Sequence, residues 1–267
     1  HTERKKVTSL YFGGGTPALA AHRIKEIVAA LKEHFVITEG IGIELHPDNV
    51  NVEVLQALKD AGVTKISIGV QSFCHKYQKL LGRKKLDTDK MLSALSAVPF
   101  ETVSMDFIFA LPGQTYDDLK SDIETAFSLG ANHIAIYPFI DFTFTESPLA
   151  AMPKKAKRRL LDAITQYCLD MGYFRSSVWT FSSEPNASYS SMTRDTFLGF
   201  GCSATSLFKG QFKINTFDVA SYCERISSGN LATALTIRFT KRQRMIYWLF
   251  WTAYSTRVTA EDFEKFF

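Results

Sequence analysis

The chain has 267 residues, 46% apolar and 22% charged, with a net charge of +4 from 31 basic and 27 acidic side chains. That length supports one large α/β domain, or a domain with a smaller appendage. The basic residues are spread along the chain, which argues against a nucleic-acid footprint, and no apolar run is long enough to span a bilayer. The opening His1-Thr2-Glu3-Arg4-Lys5-Lys6 is followed by no apolar core and does not read as a secretory signal. With no initiator Met, and with Phe267 ending inside a helical pattern, both ends read as cut, and a cytoplasmic protein is expected. The cysteines at 74, 168, 202 and 223 form no CxxC or CxxxCxxC group; they read as four separate buried thiols.

In chain order, Val7–Phe12 reads as a strand ending in Gly13-Gly14-Gly15-Thr16-Pro17, and Ala21–Phe35 as a helix with Ile24, Ile27, Val28 and Leu31 at helical spacing. Ile41–Leu45 is a short strand, followed by a helix through Val52, Leu55, Leu58 and Ala61 that Gly62 stops. Lys65–Val70 and Val103–Ala110 are strands, with a helix at Asp87–Ala97 between them. Tyr116–Leu129 is a helix and His133–Phe139 a fifth strand. Strands separated by single helices imply parallel neighbours, and five such units without a reversal favour a barrel-type sheet.

After Pro148 the rhythm changes, which places a domain boundary at 150, with residues 151–267 as a smaller α+β or helical domain. Lys154–Gly172 reads as a long helix, followed by Ser176–Phe181 and a glycine-rich stretch at Phe197–Phe208. Phe212–Phe217 reads as an edge strand and Phe217–Ser227 as a short helix. Thr240–Tyr254 reads as a helix with Ile246, Leu249, Phe250 and Ala253 facing inward.

Each notable polar group follows or ends a strand, and the carboxyl ends of parallel strands form the ligand-binding rim. Gly13–Thr16, Glu44, Gln71 and Asp106 therefore point to one mouth. Triple glycine lets backbone N–H groups approach a ligand without interference from Cβ. No Lys-Ser/Thr pair and no GxGxxG spacing follows, so a phosphate loop is disfavoured. Glu44 suits a ribose or ammonium group, or simply a solvated strand end. Gln71 both donates and accepts, and Arg83 suits a carboxylate or a surface basic cluster. His46, beside Glu44, reads as structural.

Taken in order, Leu10-Tyr11-Phe12-Gly13-Gly14-Gly15-Thr16-Pro17, Ile43-Glu44-Leu45-His46-Pro47, Ile66-Ser67-Ile68-Gly69-Val70-Gln71-Ser72-Phe73 and Met105-Asp106-Phe107-Ile108-Phe109-Ala110-Leu111-Pro112-Gly113-Gln114-Thr115 resemble the oxygen-independent coproporphyrinogen III oxidase-like branch of radical S-adenosylmethionine enzymes. Leu198-Gly199-Phe200-Gly201-Cys202-Ser203-Ala204 is a later match. The resemblance implies a partial (β/α)6 TIM-like barrel with a smaller C-terminal domain associated with a tetrapyrrole. It also implies S-adenosylmethionine and a [4Fe–4S] cluster as cofactors. Gly14, Gly15 and Thr16 would lie along the methionine amino group, Glu44 would meet the ribose or amino group, and Gln71, Arg83 and Asp106 would hold the hydroxyls and carboxylate. Reductive cleavage would yield a 5′-deoxyadenosyl radical that abstracts hydrogen from a tetrapyrrole, a porphyrinogen or heme. An electron donor such as flavodoxin or ferredoxin is implied as partner.

The family's CxxxCxxC loop and first strand belong upstream of Val7 and are not in this sequence, so the chain is expected to be inactive as given. No catalytic or metal-ligating residue is assigned within it. Ser177-Val178-Trp179-Thr180-Phe181 and Tyr189-Ser190-Ser191-Met192-Thr193-Arg194-Asp195 stand where the oxidases carry other residues, and look more like the heme-utilisation members that open heme with methyl transfer. Arg194 and the run Lys154–Arg159 suit tetrapyrrole propionates, although a solvated helix face is the favoured reading of the run. The aromatic cluster of Tyr247, Trp248, Phe250, Trp251 and Tyr254 reads as core. Two other functions stay open: a heme carrier without turnover, and an unrelated phosphate-binding barrel.

Overall fold

The computed structural model describes residues 4–140, 149–185 and 196–267. Arg194 and the rest of 189–195 lie outside them. Contacts divide the chain into two compact units, 1–189 and 190–267. The boundary falls later than position 150 because the elements after Pro148 continue the first sheet.

The first unit begins with β1 (Lys5–Val7), β2 (Leu10–Phe12), α1 (Ala21–His34), β3 (Phe35–Ile37), β4 (Ile41–Leu45) and α2 (Val52–Asp60). It continues through β5 (Lys65–Gln71), α3 (His75–Leu80), α4 (Thr88–Ala97), β6 (Thr102–Phe109), α5 (Tyr116–Ser128) and β7 (His133–Pro138). After α6 (Lys154–Asp170) come β8 (Phe174–Arg175) and β9 (Thr180–Ser182). The expected strand Val7–Phe12 is in fact two, since β1 pairs with β3 and β2 with β4.

Strands β2, β4, β5, β6 and β7 stand side by side in chain order, all parallel. Successive helices touch: α1 meets α2, α2 meets α4, and α5 meets α6. An order that never reverses is the β/α barrel arrangement rather than the doubly wound one. The sheet does not close, because β7 is followed by an antiparallel hairpin of β9 and β8. Ser176–Phe181 is the turn of that hairpin and the start of its second strand.

Side chains alternate across each strand. One face carries Ile43, Ile66, Ile68, Met105, Phe107, Ile134 and Ile136, all fully buried. Each such side chain stabilises the fold by roughly 1.5–3 kcal/mol. The helices start on short polar side chains: Asn51 accepts from Val54 N–H, Asp87 from Lys90 N–H, and Thr115 shares a capping box with Asp118.

The second unit holds β10 (Thr205–Phe208), β11 (Gln211–Asn215), α7 (Val219–Ser227), β12 (Thr233–Arg238), α8 (Lys241–Tyr254) and α9 (Ala260–Phe266). Its sheet is antiparallel in the order β10-β11-β12. The segment expected at an edge is therefore central, because β12 covers its other side. On α8 the inward assignment is corrected: Ile246, Leu249, Phe250 and Ala253 are exposed, and Trp248 is the buried residue. That helix is apolar on most sides, so periodicity does not single out a face. Tyr247 packs on Phe212 and Phe239, and Trp248 on Phe263 and Phe266, so these two are core as expected. Of the four cysteines only Cys168 is buried, Cys223 being exposed and the others half-buried.

Candidate functional site

The face of the parallel sheet opposite the apolar core is polar. Register places Glu44 opposite Ser67, Ser67 opposite Ser104, and Ser104 opposite His133, so four polar residues stand abreast on four strands. Asp106 stands two residues further along β6 on the same face. Parallel strands buried on both sides normally read as unbroken apolar runs. Here Ser67-Ile68-Gly69-Val70-Gln71 and Ser104-Met105-Asp106-Phe107 alternate, which marks an inner face built for something other than packing.

These groups are connected. Glu44 accepts from the Tyr11 hydroxyl at 2.8 Å and from Gly14 N–H at 3.1 Å, which ties the glycine loop to β4. A Cβ on Gly13 would come within 2.8 Å of the Tyr11 ring and 3.1 Å of Glu44 Oε1, so the loop closes on the carboxylate only because that position is bare. Gly14 and Gly15 adopt φ of +80° and +58°, with open space where a side chain would stand. Thr16 leads into the single turn Pro17–Ala20, and its hydroxyl makes no capping bond there. Asp106 accepts from Ser67 Oγ at 2.8 Å and lies 3.4 Å from Ser104 Oγ, which in turn is 2.9 Å from His133 Nδ1.

Gln71 ends β5 in a left-handed conformation, φ +70°, at a register shift between β5 and β6. Its amide folds back to within 3.1 Å of where a Cβ on Gly69 would be. Arg83 reaches the same spot from beyond α3, donating to the Gly69 carbonyl at 2.5 Å. Among the described residues Arg83 makes no salt bridge.

A buried clamp holds this turn. Asp122 on α5 accepts from Ser72 Oγ and from Phe73 N–H, each at 2.7 Å. Gln78, fully buried on α3, donates to the carbonyls of Val70 and Ser72. Left-handed backbone at a non-glycine residue persists only where its surroundings over-determine it, and Asp122 and Gln78 do so here.

Burial sets the charge states. Asp106 is pushed up to about 6, chiefly by desolvation and further by Glu44, against the Ser67 and Ser104 hydroxyls. Asp122 is likewise raised to about 6 by burial, opposed by its donors. Burial lowers His133 to about 4, so the ring is neutral near pH 7. It also lowers Arg83, opposed by Asp48.

The structure thus brings Gly14, Glu44, Gln71, Arg83 and Asp106 onto one polar face, with Gly15 and Thr16 continuing the loop from Gly14. Sequence reading missed Tyr11, Ser67, Ser104 and His133; Ser67, Ser104 and His133 are seen to share a face with Glu44 only once the strands are aligned in register. His46 is structural as expected, its Nδ1 accepting from Asp48 N–H at 3.3 Å. The run Lys154–Arg159 is mostly solvated, Arg158 pairing with Asp162 at 2.9 Å, although Lys157 donates to the Phe139 carbonyl.

Residues 1–126 match the Radical SAM superfamily. The heme chaperone HemW of Bacillus subtilis is 27% identical over 243 residues, 85% of this chain and 64% of that protein. The anaerobilin synthase of Escherichia coli O157:H7 is 27% identical over 254 residues, 88% of this chain and 57% of that enzyme. The solved structure of the coproporphyrinogen III oxidase HemN from Escherichia coli superposes with a TM-score of 0.81 at 20% identity, covering 97% of this chain and 66% of that one. This chain spans 57–64% of the length of the two relatives.

The polar face fits S-adenosylmethionine: a bare backbone loop, carboxylates for amino and hydroxyl groups, and a guanidinium for a carboxylate. An iron–sulfur cluster does not fit the residues described, because the cysteines are dispersed and no group of three His, Cys, Asp or Glu side chains among the described residues is placed to hold a metal.

Proposed function

We propose that this chain, whose residues 1–126 match the Radical SAM superfamily, belongs to the coproporphyrinogen III oxidase-like branch and is the nucleoside-binding part of an enzyme acting on a tetrapyrrole. The observation that carries the reading is the alternation of polar with apolar residues along β5 and β6, which puts Ser67, Gly69, Ser104 and Asp106 on the face that Glu44 shares.

In this reading Gly14, Gly15 and Thr16 run along the amino end of S-adenosylmethionine, with Glu44 at its ammonium or ribose. Asp106, mostly ionised above pH 6, accepts from ribose hydroxyls, while Ser67 holds its other oxygen. Gln71 supplies one donor and one acceptor, and Arg83 takes the carboxylate end. The cofactor, once reductively cleaved, would supply the radical for hydrogen-atom abstraction; this chain's residues supply orientation and exclusion of water. The cluster's cysteines are not in this sequence, so on this reading the chain alone does not turn over. A flavodoxin- or ferredoxin-type protein is the electron donor the chemistry asks for.

Oxidative decarboxylation of a porphyrinogen is the reaction we favour, because the glycine, glutamate, glutamine and aspartate segments all follow that branch. Similarity to anaerobilin synthase over 88% of the chain favours opening of heme as the second reading, and similarity to HemW over 85% keeps a heme carrier as the third. The test is anaerobic incubation of the full-length, cluster-reconstituted protein with S-adenosylmethionine, reductant, and either coproporphyrinogen III or heme. 5′-Deoxyadenosine with loss of carbon dioxide supports the first reading, and a methylated open tetrapyrrole the second. Heme bound and unchanged supports the third. Cleavage of no cofactor together with binding of no tetrapyrrole overturns all three.

A further inference from the structure

The second unit carries a cavity of its own, of 390 Å³, within the roughly 300–1,000 Å³ usual for small-molecule sites. Its floor is one face of the antiparallel sheet. Register sets Ser206 opposite Lys213 and Phe208 opposite Gln211, and all four line the cavity. The other face, with Leu207 and Phe212, belongs to the core: Leu207 is buried, and Phe212 packs against Phe239 and Tyr247. One wall is the glycine motif Leu198–Phe200, the other Tyr222 and Ile226 of α7 with Leu231 beyond it.

That motif wall is built, not slack. Gly199 N–H donates to Ser206 Oγ at 3.0 Å, and Gly201 N–H to the Tyr222 hydroxyl at 3.0 Å. Asn215 Nδ2 donates to the Gly201 carbonyl at 3.0 Å and to that of Gly199 at 3.4 Å. A Cβ on Gly199 would collide with the Thr205 carbonyl, so the close approach requires glycine.

The lining is of two chemistries. Leu198, Phe200, Phe208, Ile226 and Leu231 present apolar surface, Phe200 at 65% and Leu231 at 75% exposure. Lys209 and Lys213 are its only charged residues, with Lys209 Nζ 5.4 Å from the Phe208 ring. No acidic residue lines it. The unit around it, with ten basic and six acidic residues, accounts for the chain's whole net charge of +4. Exposed apolar surface gathered around a cavity marks a binding site more often than chance, and unopposed ammonium groups at its rim select an anion.

We propose that this cavity binds an organic anion with an apolar body and a terminal carboxylate, the body lying on Phe200, Phe208 and Leu231 and the carboxylate meeting Lys209 and Lys213. This site lies within residues 198–233 and stands whether or not the nucleoside reading of the first unit is correct.

The test uses the full chain and two fluorescent probes that differ only in the end group, 1-pyrenebutyrate and 1-pyrenebutanol. The butyrate is expected to bind saturably and at least about ten-fold tighter than the alcohol, and the Lys209→Gln/Lys213→Gln variant to lose that preference with its circular dichroism unchanged. Phe200→Ser is expected to weaken both probes alike. Displacement by protoporphyrin IX identifies a tetrapyrrole as the source of the carboxylate, and displacement by palmitate identifies an acyl chain. Equal affinity for acid and alcohol, a preference that survives the double lysine variant, or no saturable binding would overturn the proposal.

Discussion

The parallel sheet of residues 1–189 buries polar side chains on one face, whereas the antiparallel sheet of residues 190–267 leaves apolar side chains in water on both, Phe208 on the cavity side and Leu235 and Ile237 on the side of Phe212. Ser67, Ser104 and His133 are 3%, 1% and 1% exposed, yet each carries a polar group. Phe208, on the cavity face of its sheet, is 48% exposed. Exposed leucines and phenylalanines are common singly, and buried hydroxyls are common when bonded. In the parallel sheet the polar exception occupies a whole face and the opposite face follows ordinary burial, so one side holds the backbone and the other displays the chemistry. The antiparallel sheet makes no such division: its cavity face is Ser206, Gln211 and Lys213 with Phe208 apolar among them.

The largest effect expected from that division is on the apolar side of the parallel sheet. Phe107→Ala should cost about 3–5 kcal/mol of unfolding free energy in urea titration, while Ser67→Ala, on the other face, should cost far less and weaken nucleoside binding more. A loss for Ser67→Ala as large as that for Phe107→Ala would remove the distinction between the faces.

Next comes the clamp. Asp122→Ala leaves Ser72 Oγ and Phe73 N–H without their acceptor and should cost about 1–3 kcal/mol. It should also weaken S-adenosylhomocysteine binding by releasing Gln71. Ile123→Val, a conservative change on the same buried helix face, should lower stability and leave that affinity alone.

Asp106→Asn should move stability the other way. The folded carboxyl titrates near 6 against 3.8 for the ordinary group. Ionisation is therefore penalised in the fold, and wild-type stability falls as pH rises from 3.8 to 6. The asparagine variant escapes this and should be more stable at pH 7.5 by about 3 kcal/mol, the gap shrinking to nothing below pH 4, as pH-dependent thermal unfolding would show. His133 works in the opposite direction. Its folded value of about 4 lies below the ordinary 6.5, so its share of stability is present above 6.5 and lost as pH falls toward 4. The smallest effect is expected at the exposed wall of the cavity, where Phe200→Ser should alter stability by no more than about 0.5 kcal/mol.

Much of the first sheet was legible in the chain, for physical reasons. β4 through β7 are short apolar-rich runs, β4 and β7 opening after Gly40 and Asn132, and the helices between them open on Asn51, Asp87 and Thr115, the side chains that cap. The six-residue α3 was not legible, being too short for periodicity and stabilised by Gln78 and Tyr77 through tertiary contacts. β12 was missed because Thr233–Arg238 is nearly all exposed and its alternation is confined to Leu235 and Ile237, too short a pattern to single out a strand. On α8, apolar residues surround the helix, so no stripe could be read. At the site, Glu44, Gln71, Arg83 and Asp106 stood out through the motifs around them. Ser104 and His133 did not, because a serine in a strand draws attention only once the neighbouring strands are aligned in register.

The most direct measurement is a crystal structure of the chain grown with S-adenosylhomocysteine. The account predicts the ribose against Asp106 and Glu44, and the amino-acid end between Gly14 and Arg83. Ligand density on the helix-covered side of the sheet, or anywhere that leaves Ser67 and Asp106 untouched, would contradict it.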